Sequence, residues 1–197
     1  RVESGRTIDA GGTVSVISRS HNDADASARG VTIGLVAAIG AMTSEATASG
    51  TTLTHLDGAV TGPLSGGVIL DGPNFDFAFV GDVFIGTPTP GAANVVLTTN
   101  TRNTATAITD SAGGGLLAAL NFNSAAATVT PNIQTYILGG TGAPIDASNS
   151  ITLATSSFTD ADATTNGFSL AGGVNIGESR ANANSTPNIT TRIGANS

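Results

Sequence analysis

"TIDAGGTVSVISRSHNDADASARGVTIG" (Thr7–Gly34) aligns without a gap against "PIDASNSITLATSSFTDADATTNGFSLA" (Pro144–Ala171). Ile8 falls on Ile145, Val14 on Ile151, Ala24 on Ala161 and Gly30 on Gly167, with the same offset throughout. A third copy lies between them, "NVVLTTNTRNTATAITDSAGGGLLAAL" (Asn94–Leu120), and its tail "TPNIQTYILGG" (Thr130–Gly140) matches "TPNITTRIGAN" (Thr186–Asn196). Val14 thus returns first at Val95 and then at Ile151, and Thr130 returns at Thr186. Self-similarity of this kind marks a repeat architecture.

A shorter step recurs inside each copy. Ala26 and Ala28 return as Ala46 and Ala48, Ala105 and Ala107 as Ala125 and Ala127, and Ala161 and Ala163 as Ala181 and Ala183. The step is the same in all three, about 20 residues, and lies in the range of known solenoid repeats. Within the copies the period is two: "TVSVIS", "ADASA", "ATATAI", "ITLAT" and "FDFAFV" alternate apolar or small residues with polar ones. That is the period of a pleated strand, and Val, Ile and Thr suit it. Gly, Asn, Asp and Pro stand between the runs, where a chain turns. "GLVAAIGAM" (Gly34–Met42) has the look of a short helix, but its equivalents "GGGLLAALNF" and "LAGGVNIG" carry too much Gly for one. All three read as strands buried on both faces.

The expectation is therefore an all-β, parallel β-solenoid of about ten coils of roughly 20 residues. It would form a rod about 50 Å long at a strand spacing of about 4.8 Å. Residues 1–197 read as one segment, with the Phe-rich stretch Gly66–Gly86 (Phe75, Phe77, Phe79, Phe84) as an extra coil with a fuller core. Ala ladders imply a thin interior, and Thr and Asn are expected in outward ladders. The alternative is a β-sandwich-type module. It wants hairpin turns, but only Asp57-Gly58 and Asp71-Gly72 supply an Asx-Gly pair.

Composition narrows the function classes. The chain has 7 basic and 14 acidic residues, a net charge of −7, no Cys, no Trp, one Tyr and 40% hydrophobic residues. The basic residues are all Arg. Scattered negative charge argues against nucleic acid and against an anionic membrane surface. No apolar run is long enough to span a bilayer as a helix, so membrane insertion is not expected. A chain without Cys, with few charges and no Lys, suits an exported protein that meets proteases.

"DADASARG", "SEATASG" and the intervening "GLVAAIG" resemble the repeat regions of large bacterial surface and secreted proteins of the filamentous-haemagglutinin-like and leukotoxin-like type. The resemblance implies a right-handed parallel β-helix, export, and an adhesive or cell-surface role. It carries no functional residue with it.

Candidate chemistry is sparse. His21 has Ser20, Asp23 and Asp25 close in sequence, but the other copies put Arg102 and Phe158 at its position. Asp23/Asp25 and Asp160/Asp162 place carboxylates two apart on one strand face. Two carboxylates fall short of the six to eight oxygen ligands of Ca²⁺, and the third copy has Thr104 and Thr106 there. The Gly clusters "TDSAGGGLL" and "SGGVILDGP" fit no phosphate-binding loop and read as turns. Asn184 and Asn188 open glycosylation sequons of the kind a Thr- and Asn-rich chain produces by chance. No catalytic, cofactor-binding or metal residue is expected.

The expectation is a non-enzymatic structural or adhesive rod segment of a bacterial extracellular or cell-surface protein. Its partners would be copies of itself or flanking repeats, joined end to end into a filament, and a host or cell-surface receptor. Ice binding through a Thr-rich face is the alternative, using Thr51–Thr54 and Thr98–Thr101. A carbohydrate-active β-helix is the third reading, weakened by the absence of Lys and Trp.

Overall fold

The structure, a computed structural model, describes residues 7–61, 68–70, 83–85, 92–138, 145 and 147–194. Among these every regular element is a strand. β1 (Thr7–Asp9) precedes β2 (Thr13–Gly34) and β3 (Ala37–Leu56); then come β4 (Ala59–Thr61), β5 (Val68–Leu70) and β6 (Val83–Ile85). β7 (Ala92–Gly115) and β8 (Ala118–Leu138) follow, then β9 (Ala147–Ala171), β10 (Val174–Ser185) and β11 (Asn188–Gly194).

The long strands form two sheets. One runs in the order β2-β7-β9; in the other, β8 lies between β3 on one side and β10 and β11 on the other. All these pairings are parallel and in register: Val14 lies beside Val95 and Val95 beside Ile151, and Ala37 beside Ala118. A smaller parallel pair, β1-β4, continues through a bridge from Val60 to Ile145. β5 and β6 pair antiparallel and belong to neither sheet. They are the described part of the Phe-rich stretch, in which no parallel rung is seen; Phe75, Phe77 and Phe79 lie outside the described residues.

The sheets are therefore stacked at the long steps of the alignment, Val14 to Val95 to Ile151, and not at the short Ala step. The short step has another origin. The two sheets face each other, and Ala24 and Ala26 of β2 pack in one cluster with Ala46 and Ala48 of β3 and with Ala105, Ala107, Ala125 and Ala127. Ser20 bonds Thr52, and Thr99, the neighbour of Ser18, bonds Thr54. Going two residues back along β2 therefore goes two forward along β3. The Ala runs are mirror partners across a fold at Leu35-Val36, not successive layers of one sheet.

Strands of 20 to 25 residues run roughly 65–80 Å at about 3.3 Å per residue, against a usual length of about 5–6 residues. Unbroken alternation makes this possible: burial switches at every residue from Thr99 through Thr109 and again from Asn121 through Leu138. Matching side chains stacked in ladders favour a flat sheet over the usual accumulated twist.

The interior changes in character along its length. At one end Val14, Leu56, Val60, Val95, Leu97 and Ile137 form an ordinary apolar core. Beyond it come Thr54, Thr99 and Thr135, then Asn103, then the Ala layer, then the buried polar set Ser44, Thr109, Asn123 and Asn121, and last Gly at the fold. Buried Thr and Asn overturn the expectation that these residues stand in outward ladders. Short hydroxyls reach one another across the two facing sheets, as Ser44 reaches Thr109 and Thr99 reaches Thr54, whereas Asn103 Nδ2 and Asn123 Oδ1 are buried without a partner among the described residues. One row is continuous: Thr54–Thr99 and Thr99–Thr135 are 2.6 Å apart, and Thr135–Thr155 and Thr155–Thr191 are 2.7 Å. Thr99 donates to Thr54 and Thr155 to Thr135. A hydroxyl has one proton, so Thr135 donates to Thr99 and Thr191 to Thr155, and the whole row points one way.

Each passage between the sheets takes two residues: Leu35-Val36, Leu116-Leu117 and Gly172-Gly173. Glycine flanks them because the chain folds onto itself. A Cβ on Gly34 would stand 1.9 Å from the carbonyl oxygen of Ala37, and one on Gly115 would stand 2.0 Å from that of Ala118. The segments read as strands buried on both faces are therefore these arcs, and Leu35 is 90% exposed.

Candidate functional site

Alternation sorts the sequence candidates onto opposite faces. Ser20 points inward to the Thr52 hydroxyl at 2.7 Å. His21 and Asp23 point outward, with Nε2 and Oδ2 2.9 Å apart and both side chains about half exposed. No Ser-His-Asp set is assembled there. Next to His21 in the sheet stand Arg102 and then Phe158, the guanidinium 4.8 Å from the ring centroid. Along this outward row the described contact is a cation–π pair of Arg102 and Phe158, with the His21–Asp23 contact beside it on β2.

The acidic pairs also face out. Asp23 and Asp25 lie on β2, Asp160 and Asp162 on β9, and Thr104 and Thr106 of β7 stand between them. Thr104 donates its hydroxyl to Asp23. Two strand spacings, about 10 Å, separate the carboxylates of β2 from those of β9. Among the described residues no group of three or more His, Cys, Asp or Glu could hold a metal ion. In the row beyond, Asp110 has partners on both sides: Arg29 lies 3.1 Å away as counter-charge, and Asn166 donates a hydrogen bond at 2.9 Å.

A second row on the faces turned away from the Thr interior, running from buried His55 to exposed Arg192, was not foreseen from the sequence. His55, Tyr136 and Arg192 share a register on β3, β8 and β11. The His55 and Tyr136 rings stack 5.3 Å apart, and Arg192 lies 5.2 Å from the Tyr136 centroid. The signal available was the alignment of Thr130–Gly140 on Thr186–Asn196, which puts Tyr136 against Arg192. Outward Thr is brief: Thr47 lies beside Thr128, but the next residue in that row is Asn184. Of the Gly clusters, "TDSAGGGLL" contains the Leu116-Leu117 arc, and "SGGVILDGP" falls largely outside the described residues.

No protein-family model, no curated protein and no solved structure matches this chain. Among the described residues no helix is long and apolar enough to cross a membrane.

What remains is the pair of open ends. Among the described residues β2 is paired only to β7, and β9 only to β7. Their outer edges carry unpaired N–H and C=O groups along strands of 22 and 25 residues. The Ala layer records the same fact: Ala105 and Ala107 are fully buried, whereas Ala24, Ala26, Ala161 and Ala163 are only partly buried. β2 and β9 are also the two stretches that align without a gap.

Proposed function

We propose that this chain is a non-enzymatic rod segment of β-solenoid type, in which further rungs continue the two sheets at both ends. The added rungs come from copies of itself or from flanking repeats, in an extracellular or cell-surface protein of bacterial, adhesin-like character. The observation that carries this reading is the match between the outer strands. Setting β9 of one copy against β2 of the next, in the register that β7 already uses, places Ala161 on Ala24 and Ala163 on Ala26. It also sets Leu153 on Val16 and Gly167 on Gly30. Inward rows continue without a clash of size, and the unpaired backbone groups find partners. A surface repeated head to tail builds an open filament rather than a closed ring.

The outward rows carry a test. In that register Asp160 meets Asp23 and Asp162 meets Asp25, like charges one strand spacing apart. Each such contact is worth about 1 kcal/mol at the dielectric of water. The variant Asp160→Lys/Asp162→Lys turns both contacts attractive. It is expected to form longer filaments at lower concentration than the wild type, by electron microscopy and light scattering at low salt. Adding Asp23→Lys/Asp25→Lys on the same chain restores repulsion and reverses the gain. If charge reversal leaves assembly unchanged in both variants, the proposed stacking is wrong.

A further inference from the structure

We infer that the apolar band around the arcs is a second contact surface, distinct from the open ends, on which two copies of the chain pair side by side. The band wraps the end of the molecule where the two sheets meet. Leu35, Val36, Leu116 and Leu117 form its ridge, and all four are exposed. Behind the ridge, on the β2-β7-β9 face, Val31 and Ile33 stand on one side and Phe168 and Leu170 on the other. Between them the middle strand offers only Ala112 and Gly114. The result is a trough of about 360 Å³ bounded by Ile33, Gly114 and Leu170. On the other face Ile39, Val174 and Ile176 extend the band.

Three observations select a second copy as the occupant. The first is reach. The described strand ends Thr61, Ala92, Leu138, Ala147 and Gly194 lie at the opposite end of the long strands. β3 alone spans 20 residues, which is roughly 65 Å of extended chain. Residues 62–91, held at Thr61 and Ala92, reach at most about 50 Å out and back even if fully extended. That length falls short of the arcs. The second is area. At roughly 100 Å² for each fully exposed side chain of this kind, the exposures sum to about 700 Å². That exceeds the roughly 300–600 Å² of the largest patch on ordinary monomers and approaches the roughly 800 Å² per partner of a stable interface. The third is charge. The chain carries −7, so most approaches between copies bring acidic surfaces together, yet the band holds no ionisable residue. Arg29, Asp110, Glu178 and Arg180 begin only at its margins.

Shape gives the mode. Ridge and trough lie side by side on one molecule, so a two-fold axis lets the Leu35–Leu116 ridge of each copy enter the trough of the other. Such pairing closes at two copies, whereas stacking through the ends does not close.

The test uses sedimentation equilibrium and light scattering on the full chain. The wild type is expected at about twice its 19.2 kDa mass. Leu35→Glu/Leu116→Glu should weaken pairing at least ~100-fold and leave a single-chain mass. Circular dichroism and the unfolding midpoint should hold, because both side chains point to solvent. Gly114→Leu is the sharper variant. A Cβ there meets only the Leu170 carbonyl oxygen, at 4.0 Å. It therefore fills the trough while adding apolar surface, and should also abolish pairing; general stickiness would instead increase. Where copies also stack end to end, mass per unit length replaces mass: doubled in the wild type, single in both variants, with filament length unaffected. A single-chain wild type at high protein concentration, pairing that survives both variants, or a monomer that instead binds neutral phosphatidylcholine vesicles through the band would each overturn the inference.

Discussion

The interior Thr row makes the most direct test of how this fold is held together. Thr99 is fully buried, donates to Thr54 and accepts from Thr135, both at 2.6 Å. Thr99→Val keeps the shape and removes both bonds. Thr54 and Thr135 are themselves 1% and 0% exposed, so water does not replace the missing hydroxyl. Two hydrogen bonds at about 1 kcal/mol each, plus buried groups left without a partner, give an expected loss of about 2–3 kcal/mol. Thr191→Val is the matched control. Thr191 is exposed and makes one bond of the row, to Thr155, so its loss should stay under about 0.5 kcal/mol. Thr54→Val/Thr99→Val should cost less than its two single changes together, with a coupling of about 1 kcal/mol, because the second change removes a group the first has stranded. Urea unfolding of dilute protein, fitted for midpoint and slope, gives these values. If Thr99→Val and Thr191→Val agree to within about 0.5 kcal/mol, the size of an ordinary surface substitution, the row is not a structural element and the account of the polar interior fails.

Two further outcomes follow from single positions. Gly115→Ala should cost at least about 2–3 kcal/mol or prevent folding, since its Cβ would meet backbone rather than a movable side chain. Gly12→Ala, with nothing within 4 Å, should be tolerated; equal midpoints in thermal unfolding would contradict the arc geometry. Thr159→Asn should stabilise by about 1 kcal/mol. Asn22 donates to Asn103 at 2.7 Å, and Asn103 Nδ2 is buried with no partner facing Thr159. An amide at 159 extends the ladder by one step, and a lower urea midpoint would refute it.

The strands, their parallel direction and their register were legible in the sequence. Gapless alignment of Thr7–Gly34 on Pro144–Ala171, with a third copy between, implies side chains that repeat in place. Parallel in-register pairing then follows, because it alone sets like on like: Ala24 by Ala105 by Ala161. The arcs were not legible. "GLVAAIG" is small or apolar throughout, which reads as burial on both faces, and nothing local says that Leu35 turns to solvent. The Ala steps misled because a translation along the chain from Ala26 to Ala46 and a reflection about Leu35-Val36 give nearly the same spacing.

What the sequence determined by itself was which residues share a face of a strand, since alternation is a local property of the extended chain. Which face became the interior was decided only when the two sheets met. Ala, Ser, Thr and Asn fit either side of a strand in size and polarity. Thr99 is inside because Thr54 and Thr135 stand within 2.6 Å to take its hydrogen bonds. Thr104, further along the same strand, is outside because the same alternation turned it toward solvent, where it bonds Asp23.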